Sequence, residues 1–354
     1  MEWKNKYVGY IGTYTKGDSK GIYRFTLNME KEQLEDIQLV AELGNPTYVT
    51  ISQDNRYLYS VIKDENFGGV AAYAINPNHY HLTEINRQLV EGPSPCHVSV
   101  DSKNSVVVSA NYHAGTITTY ETKPDGSILP AKSHIQHVGK GPNAIRQEKP
   151  HAHFSGYTPD EQYIVAIDLG IDKVITYHLV DGVLTEAHSL AVRPGSGPRH
   201  ITFHPNGKFA YVMTELSNEV IVLKYHGNGQ FTEIQYIATI PADYTDNSQG
   251  SAIQMTKDGK FVYAANRGHN SITVFRAEDQ TGELQLVEHV SSEGDWPRDF
   301  TLDPTERYII GSNEQSGNLV LYKRNNESGK LSVIQSNLKV PYPVCVKFLH
   351  GGAY

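Results

Sequence analysis

Short apolar runs rich in aromatic and β-branched residues recur along the chain, each cut off by glycine, proline, aspartate or asparagine. SITVFRAE from Ser271 and ELQLVEHV from Glu283 are typical. Pleated, half-buried strands favour such side chains, and tight turns favour the residues between them. The three-and-four spacing of apolar residues that marks a helix is hard to find anywhere. The pattern predicts an all-β chain of many short strands. A count of 23 tyrosines against 10 phenylalanines, with 30 glycines and 17 prolines, points the same way.

The runs are organised as a repeat. GPRHITFHPNGKFAYVMTE from Gly197 shares its grammar with GNPTYVTISQDNRYLYSVIK from Gly44 and PSPCHVSVDSKNSVVVSANY from Pro93. PHAHFSGYTPDEQYIVAIDL from Pro150, GSAIQMTKDGKFVYAANR from Gly250 and WPRDFTLDPTERYIIGSNE from Trp296 follow it, and YPVCVKF from Tyr342 begins a seventh copy. Aligned at Pro46, Pro95, Pro150, Pro198, Gly250, Pro297 and Pro343, the copies are 49, 55, 48, 52, 47 and 46 residues apart. Each reads as a strand, a polar turn and a second strand, with two further strands behind. Four strands repeating at this period specify a β-propeller blade. The seventh copy lacks three strands, and YVGYIGTYT from Tyr7, GIYRFTL from Gly21 and EDIQLVAEL from Glu35 supply them. The expectation is one domain over residues 1–354, a seven-bladed propeller whose last blade joins N-terminal strands to a C-terminal strand and so removes two open edges.

In a propeller the first strand of a blade lines the channel and the second returns to the same rim. Six residues before the hairpin residue (Pro205 in the reference copy), the copies carry Thr47, Cys96, His153, Arg199, Ser251, Arg298 and Val344. Nine after it they carry Ile62, Asn111, Asp168, Thr214, Asn266 and Asn313, and ten after it Lys63, Tyr112, Leu169, Glu215, Arg267 and Glu314. One mouth is therefore expected to gather His153, Arg199, Arg298, Arg267, Lys63, Asp168, Glu215 and Glu314. Equivalent positions that differ in charge and size point to a working site, since a purely structural ring repeats one residue type. The competing reading, for each member singly, is hydrogen bonding to water or a neighbouring blade.

His153 is a candidate general base, because imidazole titrates near neutral pH and a carboxylate can fix its tautomer. Asp168, in the same blade, is the candidate partner, and a plain cross-strand contact is the alternative. His151 and His153 stand two apart, but no nearby spacing completes a zinc pattern. Arg199, Arg267 and Arg298, with Lys63, suit an anionic ligand, while pairing with Glu215 and Glu314 absorbs part of that charge. Cys96 has no proximal base. The 55-residue interval holds GKGPNAIRQEKPHAH from Gly139, whose extra residues are expected to form a loop over the mouth.

Charge and composition narrow the partners. With 31 Lys+Arg against 39 Asp+Glu the net charge is −8, which argues against a general nucleic-acid binder. No apolar run approaches the ~18 residues of a membrane span. The start, MEWKNKYVGYIGTYTKG, lacks the apolar core of a signal peptide, and only Cys96 and Cys345 occur. A cytoplasmic protein, monomeric or weakly dimeric, is expected.

PHAHF with TPDEQYIVAIDLGIDKV, GPRHITFHPNGKFAYVMTE and AANRGHNSITVF together resemble the propeller-type lactonase family, along essentially the whole chain. That family includes bacterial propeller 6-phosphogluconolactonases and fungal carboxy-muconate lactonizing enzymes. The resemblance implies catalytic groups at the channel mouth on His153 (six residues before Pro159), Arg199 of GPRH, Glu215, and Arg267 of the NR pair. The chain carries VMTE where the family pattern is closer to VLNE. The activity implied is hydrolysis of 6-phospho-D-glucono-1,5-lactone, a step of the pentose phosphate pathway, with no metal or other cofactor. His153 or Glu215 would serve as base, and Arg298, Lys63, Asp168, Asn111, Asn266 and Glu314 would line the substrate. Muconate-type lactone formation, a metal-dependent lactonase and a non-catalytic binding scaffold are the alternatives.

Overall fold

The computed structural model describes residues 5–351, and they form seven four-stranded antiparallel sheets. Blade 1 comprises Val49–Ile51, Tyr57–Asp64, Phe67–Ile75 and Leu82–Glu91. The next five open with His97–Val100, Ala152–Tyr157, Pro198–Phe203, Gln249–Met255 and Pro297–Leu302. Blade 7 orders Pro343–Phe348 beside Lys6–Thr13, Gly21–Asn28 and Gln33–Glu42, so both ends of the ring share one sheet as the repeat predicts. Neighbouring first strands contact one another, and Pro343–Phe348 meets Val49–Ile51 to close the circle. The expected domain also takes in residues 1–4 and 352–354, which lie outside the described residues.

The repeated turn has a physical cause. Two residues past the hairpin mark, Asn55, Asn104, Glu161, Gly207, Gly259 and Glu306 all take positive φ. Such a residue reverses the chain between twisted strands, which is why Gly207 and Gly259 suit the position. Glu161 and Glu306 bear the strain there while their carboxylates reach the preceding blade, at Ser102 N (2.8 Å) and Lys257 N (2.9 Å). The turn thus also fastens one blade to the next.

Seven apolar clusters fill the spaces between blades, one at each junction. Alternation along each strand drives this, because successive side chains face opposite neighbours and both faces of a blade are covered. The high tyrosine count has its explanation here. Tyr59, Tyr263 and Tyr308 bury their rings in these clusters while their hydroxyls reach Asn104 Oδ1 (2.9 Å), Gly329 O (2.7 Å) and Glu32 Oε1 (2.7 Å).

The rim geometry comes from one recurring backbone bond. Lys63, Leu169, Glu215 and Glu314 donate their N–H to the carbonyls of Gly44 (2.8 Å), His151 (3.0 Å), Gly197 (2.7 Å) and Trp296 (3.0 Å). Each bond ties the end of a second strand to the entrance of its own first strand. Residues that the sequence places at one rim are held there together.

Candidate active site

At that rim a cavity of about 470 Å³ receives side chains from every blade, Tyr14 from blade 7 among them. Lys63, Cys96, Tyr112, His153, Glu215, Arg267 and Arg298 all line it, as expected from the repeat. Arg199 sits just below, in a small recess shared with His153 and Arg298.

Glu215 is the electrostatic centre. Its Oε2 lies 2.7 Å from a terminal nitrogen of Arg267, and Arg146 donates to Oε1. Arg199 Nε lies 3.2 Å from Oε2, an ion pair whose N–H is not aimed for a hydrogen bond. Burial alone pushes a carboxyl upward, but the charges of Arg267, Arg199 and Arg146 outweigh it and hold Glu215 well below the usual carboxylate range. It stays ionised and is a poor proton acceptor. Arg267 is braced further by the carbonyls of Gln249 (3.3 Å) and Gly250 (2.8 Å) and faces the ring of Trp296. Three guanidiniums around one carboxylate leave a net positive cluster in a chain of net charge −8.

His153 is buried, and its Nδ1 has no hydrogen-bond partner among the described residues. Burial first, and then the charge of Arg199, drives the imidazole well below the ordinary histidine value, with Glu215 opposing in part. The ring is therefore neutral near pH 7 and can take a proton. Burial pushes the Cys96 thiol up to about 11, so it supplies no thiolate.

Arg298 packs over Tyr14 and pairs with Glu314 at 3.4 Å, and Glu314 also meets Lys16 at 3.7 Å. Glu314 thus acts on the site by holding Arg298. Lys63 is exposed and makes no ion pair among the described residues.

Three expected site residues point elsewhere. Asp168 accepts from His137 Nδ1 (2.6 Å) and from the backbone N–H groups of His151 (2.8 Å) and Gly170 (2.9 Å), so it does not orient His153. Asn266 bonds Ser271 and Thr273 inside its blade and Thr239 O on the connection from the preceding one. Asn111 donates to Pro93 O and receives Ala114 N. The reason is strand alternation: the residue ten after the hairpin faces the channel, so the residue nine after it must face the blade. Thr214 obeys the same rule, its hydroxyl bonding Glu219 N and O, and VMTE therefore leaves Glu215 undisturbed. The His-x-His pair also divides. A register shift follows Ala152, and His151 stacks on Tyr112 with Nδ1 at Tyr112 O and Nε2 near Glu148, while His153 faces the cavity. Among the described residues no group of three or more His, Cys, Asp or Glu is arranged to hold a metal ion.

The repeat alone does not find Arg146, which comes from the loop after Gly139, nor Tyr14 and Trp296, which lie in connections between strands, nor Gln249 at the start of a blade 5 strand. The overlong interval was the one sequence signal for Arg146.

The family described as "Lactonase, 7-bladed beta-propeller" matches residues 8–348, and the chain belongs to it. Among its relatives, the 6-phosphogluconolactonase of Bacillus subtilis is 58% identical over 346 residues, covering 98% of this chain and 99% of the relative. A solved protein of Lactobacillus plantarum is 40% identical with a TM-score of 0.94, over 98% of this chain and 100% of that one. The periplasmic gluconolactonase of Pseudomonas aeruginosa is 29% identical with a TM-score of 0.91, over 97% and 99%.

Proposed function

We propose that this protein hydrolyses 6-phospho-D-glucono-1,5-lactone to 6-phosphogluconate in the pentose phosphate pathway, the reaction named for its Bacillus subtilis relative. The observation that carries the reading is a buried imidazole, its Nδ1 without a partner among the described residues, beside a guanidinium cluster in one open cavity. His153 takes a proton from water as the water oxygen bonds to the lactone carbonyl carbon. The carbonyl oxygen becomes an oxyanion facing Arg267 and Arg199, where preorganised cations are worth most. Collapse breaks the ring C–O bond, and the departing oxygen takes the proton back from His153. Ring opening yields the acid and a free hydroxyl. Glu215 is the counter-ion that fixes the arginines, and a carboxylate held that low supports His153 as the base. Arg298 and Lys63 extend the positive field toward the rim for the substrate's anion.

The chemistry is complete without metal or other cofactor. The ring acts as one domain, in the cytoplasm, as a monomer or weak homodimer. Among the described residues no helix is long and apolar enough to cross a membrane.

A coupled assay with phosphorylated and plain gluconolactone, corrected for spontaneous opening, tests the reading, with carboxy-muconate and a strong chelator as controls. The phosphorylated lactone is the expected best substrate, with the rate kept in chelator. Activity no faster than spontaneous opening removes the proposal. His153→Ala is expected to lower turnover about a hundredfold or more, and an unchanged rate would take His153 out of the mechanism.

A further inference from the structure

The guanidiniums at this mouth are not equivalent. Side-chain exposure is 3% for Arg199, 5% for Arg267, 19% for Arg298 and 29% for Arg146. Arg199, Arg267 and Arg298 stand on blade strands. Arg146 alone comes from a loop, and it is the most exposed of the four.

The loop itself is firmly built. Asn143 Oδ1 accepts from Ile145 N and Arg146 N, both at 3.1 Å, and Gln147 N returns to Asn143 O at 2.7 Å. Gln147 is fully buried, accepting Asn143 N at 3.2 Å and donating to Leu169 O at 2.8 Å at the end of a blade 3 strand. The backbone of Arg146 is thereby fixed, and freedom remains in the side chain. Its two polar partners are Glu215 Oε1 and Tyr112 Oη, the latter 3.4 Å away.

The pairing at Glu215 is divided by oxygen. Arg199 and Arg267 approach Oε2, while Arg146 takes Oε1. If Arg146 departs, the carboxylate keeps two buried cations and remains compensated. Of the three arginines on Glu215, Arg146 is thus the one exposed enough to leave without stranding a buried charge. A phosphate, carrying up to two charges and three acceptor oxygens, is a stronger partner for a guanidinium fork than half of a carboxylate already shared. The other rim cations offer less: Arg298 is more buried, packed over Tyr14 and turned to Glu314, and Lys63 is a single ammonium.

We propose that Arg146 is the residue that selects a phosphorylated substrate, exchanging Glu215 Oε1 for the substrate's phosphate when the ligand enters. The inference rests on the lactonase reading and adds to it the group that distinguishes a phosphorylated lactone from a plain one.

Full-length wild type, Arg146→Gln and Arg146→Lys are compared in two assays. The first measures kcat/KM for phosphorylated and plain gluconolactone. The second measures calorimetric binding of 6-phosphogluconate and gluconate. Arg146→Gln is expected to lose about tenfold or more on the phosphorylated member of each pair beyond any loss on the plain one. Arg146→Lys, which keeps a charge without the fork, is expected to lose less in the same direction. Equal losses on both members of a pair overturn the proposal and leave Arg146 as a support for Glu215, and so does the absence of any loss. A wild type that hydrolyses neither lactone defeats the lactonase reading alone, because the binding pair still decides the role of Arg146. Should melting curves show Arg146→Gln unfolded, the selective loss in Arg146→Lys decides the matter.

Discussion

His153 and His200 meet edge to face, with ring centroids 5.2 Å apart, in the channel wall below the cavity. His200 in turn lies 5.4 Å from His97, which packs on Tyr48 and Phe154. Burial pushes all three imidazoles well below the ordinary value, with Arg199 adding to the effect at each. The wall of the site is built from histidines that stay neutral.

Acid stability follows from that stack. An unfolded histidine gains a proton as pH falls through about 6.5, whereas these three remain neutral in the fold. Their contribution is present in full above that pH and is lost as pH drops toward their folded values. The stability loss below pH 6.5 is expected to steepen toward roughly 4 kcal/mol per pH unit while all three differ between states. Urea unfolding from pH 7.5 to 5 measures it. His97→Phe should flatten the limb by up to about 1.4 kcal/mol per pH unit, and an unaltered slope in that variant would contradict the neutral stack.

The pH dependence of turnover isolates His153. A base whose folded pKa lies well below the ordinary histidine value keeps its function as pH falls through that value. With plain gluconolactone, which has no phosphate to titrate, kcat/KM is expected to hold level through pH 6.5 and to decline only at lower pH. A decline centred at or above pH 6.5 would assign the proton to another group.

Removing the charge of Glu215 leaves three guanidiniums facing one another in a largely buried space. Glu215→Gln is expected to cost about 3–5 kcal/mol of stability, the range for stripping one partner from a buried ion pair. Denaturant titration at neutral pH reads this directly. A change below about 1 kcal/mol, the level of a surface pair, would mean that water already screens the cluster.

Asp168 supplies a contrast within blade 3. Its carboxylate takes three hydrogen bonds away from the cavity, so Asp168→Asn acts on stability, with a loss of about 2–3 kcal/mol. The melting temperature should fall while KM for the phosphorylated lactone stays put. A KM rise without a melting shift would return Asp168 to the site.

The sequence carried the ring, its closing blade and most of the mouth, because a blade repeats the same turn chemistry and the same rim bond at a fixed offset. His153, Arg199, Glu215, Arg267, Arg298 and Lys63 were legible for that reason. Asp168, Asn111 and Asn266 were misplaced by a single step along a strand, which reverses the direction of a side chain. Arg146, Tyr14 and Trp296 could not be read from the repeat, since they stand on connections whose course depends on packing between blades. His97 and His200 are stacked only by the convergence of neighbouring first strands, which no single copy of the repeat displays.

The C-terminal strand Pro343–Phe348 does more than complete a sheet. Lys347 pairs with Asp299 at 3.5 Å beside the channel, and Val346 N bonds the same carboxylate at 2.9 Å. During synthesis the strand Lys6–Thr13 must keep an unpaired edge until this segment clears the ribosome, hundreds of residues later. The nascent protein therefore has no finished pocket and no protected seam until that strand is made, so its demand on chaperones should last until the ring closes.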